Sequence, residues 1–388
     1  MIEARSRPAW AEVDLGAIRH NTSLLRRRAA PAALCAVVKA DGYGHGAAPV
    51  ARAAIEGGAA GLAVATVEEG IELREARITQ PVLLLSEPPA DACDDVVAGG
   101  LTPTLCTEEA VARMAASARR LGTRLAVHVK VDTGMHRIGA DPAATPALVA
   151  AVEAEASLRL EGLWTHLAVA DGTGEEDRRY TEEQLARFDG VVAALPGAPR
   201  VLHAANSAAT LVWPAARYDM VRCGIALYGV PPAPGGQRLR PALSLRARVV
   251  AVRELAAGER PSYGRLRPLA ERSVVATVPL GYADGVPRRL FTAGFTALVG
   301  GRRRPLAGMV TMDQVMIDCG RGAAVAPGDE VTLLGRQGDE EVTATEWAGL
   351  LGTIGYEVLT GIGPRVPRVY TGETGAHWRS WLAKGGAQ

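Results

Sequence analysis

The feature that most restricts the fold of this chain is the regular alternation of strand-like and helix-like segments between residues 33 and 228. Eight short apolar runs occur in that region, and helical patterns separate most of them. Alternation of this kind is typical of parallel strands joined by crossover helices. It predicts an α/β protein with a (β/α)8 barrel of the TIM type, and the alternative is an open, doubly wound parallel sheet. The predicted strands cover residues 33–39, 62–65, 82–85, 101–106, 125–131, 160–166, 201–204 and 220–228.

The helical pattern begins before the first of these strands. Asp14 is placed to cap a helix over residues 15–29, in which Ile18, Leu24 and Leu25 mark an apolar side. The remaining predicted helices cover residues 46–57, 68–77, 91–98, 107–121, 143–156, 175–194 and 207–213.

A run rich in proline and glycine, residues 229–236, ends the alternation and is interpreted as a connector. Short β-type runs between glycine and proline turns follow it, which predicts a mostly antiparallel β domain. We place the first domain at residues 1–238 and the second at 239–388, and an alternative assigns about the first ten residues to the second domain. The predicted elements of the second domain are strands at 249–252, 274–278, 297–299, 315–318 and 331–334 and a helix at 344–351.

Charge and composition narrow the functional class. A formal net charge of +1 argues against nucleic acid or a membrane surface as partner. Two arginine clusters, 26–28 and 302–304, are short and isolated, so we interpret them as solvated faces. The five cysteines show no paired spacing, and the N-terminus lacks the apolar core of a signal peptide. With no apolar stretch long enough to span a bilayer, we expect a cytoplasmic protein.

The apolar run 34–38 ends at Lys39, directly before a glycine-rich turn. An ammonium group at the end of a buried strand is costly unless it is paired, neutralised or used in chemistry. A lysine with a lowered pKa is what imine formation with an aldehyde requires. The run alone also allows an ordinary lysine that reaches over the strand end towards water.

Other polar groups fall at or near the carboxyl ends of predicted strands, where barrels carry their chemistry. Hydroxyl and backbone N–H groups at 206–207 and 223–225 are in place to bind a phosphate after the last strands. No nucleotide, nucleophile-elbow or zinc motif occurs, and the seven histidines show no metal-ligand spacing. A lysine that forms an imine, together with a phosphate cradle, points to pyridoxal phosphate. The polar groups at strand ends are Lys39, Lys130, Asp132, His166, His203 and Arg222.

Taken together, eight short segments of the chain closely resemble alanine racemase, and the resemblance extends over nearly the whole length of the chain. Each matching segment is weak alone, but their joint occurrence in this order is specific. The segments are residues 36–46, 130–139, 205–208, 220–229, 262–264, 281–285, 310–314 and 355–359.

The resemblance implies interconversion of L- and D-alanine, which supplies D-alanine for bacterial peptidoglycan. It implies that Lys39 binds pyridoxal phosphate covalently and is one base, and that Tyr263 is the second base. One base on each face of a planar carbanion allows proton removal and return with inversion. In the family's pattern the lysine handles the D-enantiomer and the tyrosine the L-enantiomer. His166 and Arg222 are the expected neighbours of Tyr263.

The resemblance also assigns supporting roles, and it implies no metal. Arg222 faces the pyridine nitrogen, and Arg137 lies near the cofactor's phenolic oxygen and the substrate carboxylate. Lys130 matches a lysine that is carbamylated in some members. The family is a homodimer in which the β domain of one subunit completes the barrel site of the other, so Tyr263 and Met312 are expected to act in trans. The full set is Tyr43, His166, Asn206, Ser207, Arg222, Gly224, Ile225 and Tyr356 for the cofactor, Arg137, Met312 and Asp313 for the substrate, and Lys130 and His203 in support.

One position departs from the family's pattern, and several functions stay open. Met309 stands where the family usually has an arginine at the substrate entrance, so we expect altered entry or inhibitor susceptibility with the chemistry intact.

The alternative functions are a broad-specificity racemase, a decarboxylase of the same architecture and a non-catalytic pyridoxal-phosphate binding protein. Such decarboxylases face the pyridine nitrogen with a carboxylate, whereas this chain offers Arg222.

Overall fold

The computed structural model describes residues 7–197, 199–233 and 238–372, and the chain divides into two compact units. The first unit is Ile18–Arg240. The second combines the N-terminal segment, up to Ala17, with the chain from Pro241 onward. Parts of the predicted connector and of the predicted second domain, residues 234–237 and 373–388, lie outside the described residues, as do residues 1–6.

The first unit is built on eight parallel strands that close into a barrel, so the predicted (β/α)8 fold is confirmed. The strands form two four-stranded sheets. A parallel bridge between Leu83 and Thr102 joins the sheets on one side. On the other side the Arg222 N–H donates to the Ala205 carbonyl at 2.9 Å. The strands are Ala33–Val37, Gly61–Val64, Val82–Leu84, Thr104–Leu105, Leu125–Lys130, Leu158–Trp164, Val201–His203 and Met220–Cys223.

Helices alternate with these strands as the sequence predicts. Asp14 Oδ1 accepts the Ala17 N–H at 3.0 Å and caps the first helix. Thr66 and Glu69 form a capping box at the start of another helix. No helix within the described residues is both long and apolar enough to cross a bilayer. The helices are Leu15–Ala29, Ala47–Glu56, Val67–Glu75, Cys93–Ala98, Glu108–Arg120, Thr145–Ala154, Glu175–Ala193 and Ser207–Val212, with 3₁₀ turns at Ala90–Ala92, Pro214–Ala216 and Ile225–Tyr228.

The second unit is mostly antiparallel, as predicted, and contains a seven-stranded and a three-stranded sheet. Strand Ala9–Asp14 lies inside the larger sheet, antiparallel to Leu243–Arg248 and parallel to Arg368–Thr371. The larger sheet also contains Arg302–Pro305, Thr296–Val299, Glu330–Gln337 and Glu340–Val342, and the smaller one contains Ala251–Leu255, Ser273–Val278 and Val315–Asp318. The helices are Ala344–Leu351 and Gly355–Thr360, with 3₁₀ turns at Tyr263–Arg265, Tyr282–Asp284 and Arg288–Leu290.

Some element boundaries differ from the predicted ones. The strand predicted at 220–228 ends at Cys223, because Gly224 leaves the extended region (φ −113°, ψ −96°) and a 3₁₀ turn follows. The strand predicted at 101–106 is only Thr104–Leu105. The predicted strand at 249–252 instead overlaps the start of Ala251–Leu255. The sequence patterns do not predict the strands 9–14, 243–248, 302–305, 340–342 and 368–371 or the helix 355–360.

Candidate active site

Lys39 stands where the strand Ala33–Val37 gives way to a left-handed turn. Residues 40–43 all have positive φ, between 50° and 60°, with ψ between 40° and 53°. Each left-handed residue that carries a Cβ costs roughly 1–2 kcal/mol, so the turn needs outside support. Glu69 Oε1 accepts the Ala40 N–H at 2.6 Å, and Asp41 Oδ1 accepts the Ala47 N–H at 2.8 Å. These bonds stabilise the turn and fix the backbone that carries the lysine.

The Lys39 side chain is half-buried at this strand end. Burial and, after it, the positive charge of Arg137 lower the pKa of Lys39, while Glu69 acts in the opposite direction. Lowering the pKa raises the fraction of neutral amine, which is the form that attacks an aldehyde. The environment therefore suits Lys39 to imine chemistry.

Arg222 is the central cation of the barrel interior and is only 3% exposed. Its Nη2 donates to the carbonyls of Thr165 at 2.8 Å and Ala204 at 3.1 Å, and it lies 3.3 Å from His166 Nδ1. Its Nη1 lies 2.7 Å from His203 Nδ1. Burial lowers the pKa of Arg222 to about 10, so it keeps its charge at neutral pH. These partners fix a permanent cation at the barrel centre.

The imidazoles around Arg222 are held neutral. The guanidinium of Arg222 can only donate hydrogen bonds, so His203 Nδ1 must accept its N–H. The proton of neutral His203 is therefore on Nε2. That nitrogen lies 2.8 Å from His128 Nδ1. Burial and then Arg222 lower the pKa of His128 to about 3, and they lower the pKa values of His203 and His166 well below the usual range. The hydrogen-bonded series Arg222–His203–His128 thus consists of one cation and two neutral imidazole rings.

The buried, neutral histidines make stability depend on pH. An unfolded histidine binds a proton below about pH 6.5, whereas folded His128 does so only near a pKa of about 3. Between these values the unfolded state holds more protons, so the free energy of unfolding falls as the pH decreases. We expect His128→Asn to reduce this slope by about 0.7 kcal/mol per pH unit at pH 6.5, rising to about 1.4 near pH 5, in urea unfolding. Above about pH 8 neither the folded nor the unfolded state binds a proton at this position, so the same variant should leave the slope unchanged there. A wild-type slope between about pH 6.5 and 5 in His128→Asn would contradict the assignment.

A second buried lysine lies in the same interior. Lys130 is 1% exposed, and its Nζ lies 4.5 Å from the centroid of the Trp164 ring. The guanidinium of Arg222 lies 4.4 Å from the same centroid. Burial, then Arg137 and Arg222, lower the pKa of Lys130 to about 8. Lys130 is therefore a second candidate for amine chemistry, with far less exposure than Lys39.

A cluster of hydroxyl and N–H groups follows the last two barrel strands. Ser207 Oγ accepts N–H groups from Gly224 at 2.9 Å and Ala226 at 3.4 Å, so its own proton is left to donate to a ligand. A Cβ at position 224 would overlap the Tyr43 hydroxyl, so only glycine allows this approach. Asn206 Oδ1 accepts the Ala209 N–H at 3.0 Å and caps the helix that carries Ser207. Ile225 begins the 3₁₀ turn beside Gly224, where peptide N–H groups suit an anion.

These residues fit pyridoxal phosphate. A half-buried amine with a lowered pKa suits the aldehyde, and the hydroxyl and N–H groups around Gly224 suit the phosphate. Arg222 supplies a fixed charge for the ring. No cluster of three or more histidine, cysteine, aspartate or glutamate side chains positioned for a metal occurs among the residues that the structure describes.

The remaining predicted site residues lie at the surface of the second unit, Tyr263, Met312 and Asp313 in turns and Tyr356 in the helix Gly355–Thr360. The side chains of Tyr263 and Met312 are 71% and 52% exposed, and Tyr356 is 38% exposed. Asp313 forms a 2.6 Å ion pair with Arg365. Ser262 has a positive φ of 69°, and its Oγ donates to the Met309 carbonyl at 2.6 Å, which anchors the turn before Tyr263. The Met309 side chain is itself buried.

The Met312 turn has support of its own. Tyr282 and Ala283 donate backbone N–H groups to the carbonyls of Thr311 and Met312 at 3.0 and 3.1 Å. A side chain at Gly281 would overlap the Met312 carbonyl, so this position needs glycine. The exposed Met312 side chain therefore rests on a well-supported backbone.

The predicted residues thus fall into two sets. Lys39, Lys130, Arg137, His166 and Arg222 lie close together in the barrel unit, as their electrostatic influence on one another shows. Tyr263, Met312, Asp313 and Tyr356 belong to the second unit, and their approach to Lys39 stays a prediction. The sequence analysis did not identify His128, Tyr180, Gln184 or Arg187, although the last three recur at helical spacing within 175–193.

Comparison with known proteins shows that both units are similar to alanine racemases. The family model for the N-terminal domain of alanine racemase matches residues 13–232, and that for its C-terminal domain matches 242–370. The alanine racemase of Symbiobacterium thermophilum is 49% identical over 95% of this chain and 98% of its own. That of Carboxydothermus hydrogenoformans is 43% identical over 94% of this chain and 100% of its own. The crystal structure of the E. faecalis alanine racemase has a TM-score of 0.88 at 40% identity, covering 96% of this chain and all of the other.

Proposed function

Given that the chain belongs to the alanine racemase family and is thereby an isomerase that racemises alanine, we propose that it does so with pyridoxal phosphate and two bases. Lys39 removes or returns the Cα proton on one face, and Tyr263 does so on the other. The single observation that carries this proposal is the half-buried Lys39 at a barrel strand end, whose pKa is lowered by burial and by the positive charge of Arg137.

The cofactor would be held by the residues that the family resemblance assigns to it. Lys39 would bind it covalently, and Ser207, Gly224 and Ile225 would bind its phosphate together with Tyr43. Asn206 positions Ser207, and Tyr356 would be a further phosphate ligand. Bound there, pyridoxal phosphate would supply an electron sink for negative charge at Cα.

Charged side chains orient the substrate and limit the chemistry. Arg137 binds the substrate carboxylate together with the Met312 N–H, and Asp313, paired with Arg365, belongs to the same end of the substrate site. Arg222 is a permanent cation that disfavours a second positive charge beside it, which weakens electron withdrawal by the ring and limits side reactions such as transamination. His166 and His203 hold Arg222 in place, and Lys130 adds charge beside Arg137.

We infer that the active unit is a homodimer. Tyr263 and Met312 are exposed within their own unit, which suits side chains that complete a site on a partner subunit. The proposed role is the supply of D-alanine for bacterial peptidoglycan, with the cytoplasm as the site of action. All five cysteines are free thiols, in keeping with a reducing compartment.

The proposed reaction is tested by following the Cα hydrogen of alanine in deuterium oxide. We expect solvent deuterium to enter Cα of both L- and D-alanine while optical rotation is lost, since each base exchanges its proton with water. L-serine and L-arginine, run in parallel, separate an alanine-specific enzyme from a broad-specificity racemase. Release of carbon dioxide without racemisation would overturn the assignment in favour of a decarboxylase.

A further inference from the structure

Three polar side chains on the helix Glu175–Ala193, at positions 180, 184 and 187, bond to loops of the barrel. Gln184 is fully buried, Tyr180 is half-buried and Arg187 is exposed. Their spacing of four and three residues places Tyr180, Gln184 and Arg187 on one face of the helix. Most inward positions of barrel helices are apolar, so a polar stripe here needs partners. Those partners are the loops after two neighbouring barrel strands, Leu125–Lys130 and Leu158–Trp164.

The first of these loops, residues 131–139, carries Arg137 and has a strained backbone. Gly134 and His136 have φ values of 138° and 53°. Tyr180 Oη donates to the Gly134 carbonyl at 2.7 Å, and Arg187 Nη1 donates to the Thr133 carbonyl at 2.8 Å. A side chain at position 134 would overlap the Tyr180 hydroxyl. The helix face therefore supports a loop conformation that would otherwise be unfavourable.

Gln184 bonds to both loops at once. Its side chain is fully buried. Its Nε2 donates to the His166 carbonyl at 3.1 Å and to Thr133 Oγ1 at 3.4 Å, and its Oε1 accepts the Ala168 N–H at 2.8 Å. Thr133 Oγ1 also lies 2.8 Å from Thr165 Oγ1, which adds a direct bond between the loops.

We propose that Gln184 is a positioning residue that fixes the Arg137 loop relative to the His166 loop. The inference rests on the proposed racemase activity, in which Arg137 binds the substrate carboxylate and His166 supports Arg222. A buried amide with three partners has one satisfactory orientation, so it sets the separation of the two loops. Its loss leaves buried carbonyl and N–H groups unsatisfied and lets the loops move.

The test compares Gln184→Met with Thr181→Val on the same helix. Thr181 is also fully buried, but its Oγ1 bonds only to the Asp177 carbonyl of its own helix, at 2.9 Å, among the bonds that the structure describes. We expect Gln184→Met to raise the KM for alanine about tenfold with a smaller change in kcat, because Arg137 loses its position. Thr181→Val should leave KM unchanged, even where both variants lower Tm to a similar extent.

Amide hydrogen exchange supplies a readout besides activity. Peptides that cover residues 131–140 and 165–169 should exchange about tenfold faster in Gln184→Met than in Thr181→Val, in both holoenzyme and apoprotein. Gln184→Glu retains the acceptor for Ala168 and keeps at most one of the two donors, in its protonated form, so it should show the same changes to a smaller extent. It is the variant to use if Gln184→Met folds poorly. Wild-type exchange and KM in the Gln184 variants would overturn the inference, whereas a wild-type enzyme without racemase activity would instead overturn the proposed function.

Discussion

Replacing Lys39 by alanine should reduce racemisation by about 10⁴-fold or more and abolish covalent attachment of the cofactor. The expected loss is this large because one side chain both attaches the cofactor and exchanges the Cα proton, and a positioned base alone contributes about 10²–10⁴-fold. Lys39 is only half-buried, so its removal should leave the Tm of the apoprotein nearly unchanged. The measurements are racemisation rate, the long-wavelength absorbance of the bound cofactor and Tm.

Lys130 is a competing amine in the same barrel interior, so the test must show which of the two lysines binds the cofactor. It is more deeply buried than Lys39, and its pKa is lowered to about 8. Lys39 is the better candidate because an aldehyde can reach a half-buried strand end, whereas Lys130 is enclosed against Trp164. Borohydride reduction followed by peptide mapping should label Lys39, and Lys130→Met should retain that label. A label on Lys130 would show that the lysine has been misassigned.

The barrel was predictable because its signals are local. Each strand is a short apolar run buried on both faces, and each helix has its own cap or apolar side. The strand Ala9–Asp14 was not predicted, since its neighbours lie more than 200 residues away, as in the pairing of Ala9 with Ala247. The sequence favours its placement in the second unit only as an alternative, because AWAEVD has no pattern that identifies its strand partners.

The chemistry of the site was predictable to a similar degree. Lys39 was identified because an isolated charge at the end of an apolar run is conspicuous, whereas the role expected for Arg222, which lies inside its run, came from the family resemblance. Gln184 was not identified, since a glutamine in a helix is ordinary until the packing shows it fully buried. The glycines after Lys39 indicated a turn, but only the structure shows that Ala40 and Tyr43 also adopt left-handed geometry, which residues with a Cβ seldom do.

The second large effect is expected for Tyr263→Phe, which removes one proton-handling oxygen and little else. Overall racemisation should fall about 10²–10⁴-fold. The fall must be equal in both directions, because the two enantiomers have the same free energy. Exchange of the Cα hydrogen with solvent, without inversion at Cα, reports on each base separately. Lys39 can still take the proton of D-alanine and return a solvent deuteron on the same face, so D-alanine should gain deuterium, whereas L-alanine should gain almost none.

Tyr218→Phe is a suitable control for loss of a phenolic oxygen. Its hydroxyl donates to Asp189 Oδ1 at 2.7 Å, near the start of a barrel strand and away from the strand ends that carry the chemistry. It should retain wild-type racemisation and exchange. Equal loss of deuterium entry into both enantiomers of alanine in Tyr263→Phe would contradict the division of labour between the two bases.

The same two variants test whether the bases come from different subunits. In a dimer that combines a Lys39→Ala chain with a Tyr263→Phe chain, one of the two sites has both bases intact if Tyr263 acts in trans. Random reassortment of subunits should then restore about a quarter of the wild-type activity from two nearly inactive parents. If Tyr263 acted in cis, every site would lack a base and the mixture would stay inactive. Unfolding and refolding the variants together, with each refolded alone as control, distinguishes these outcomes, because only an intersubunit site can be repaired by exchange of whole chains.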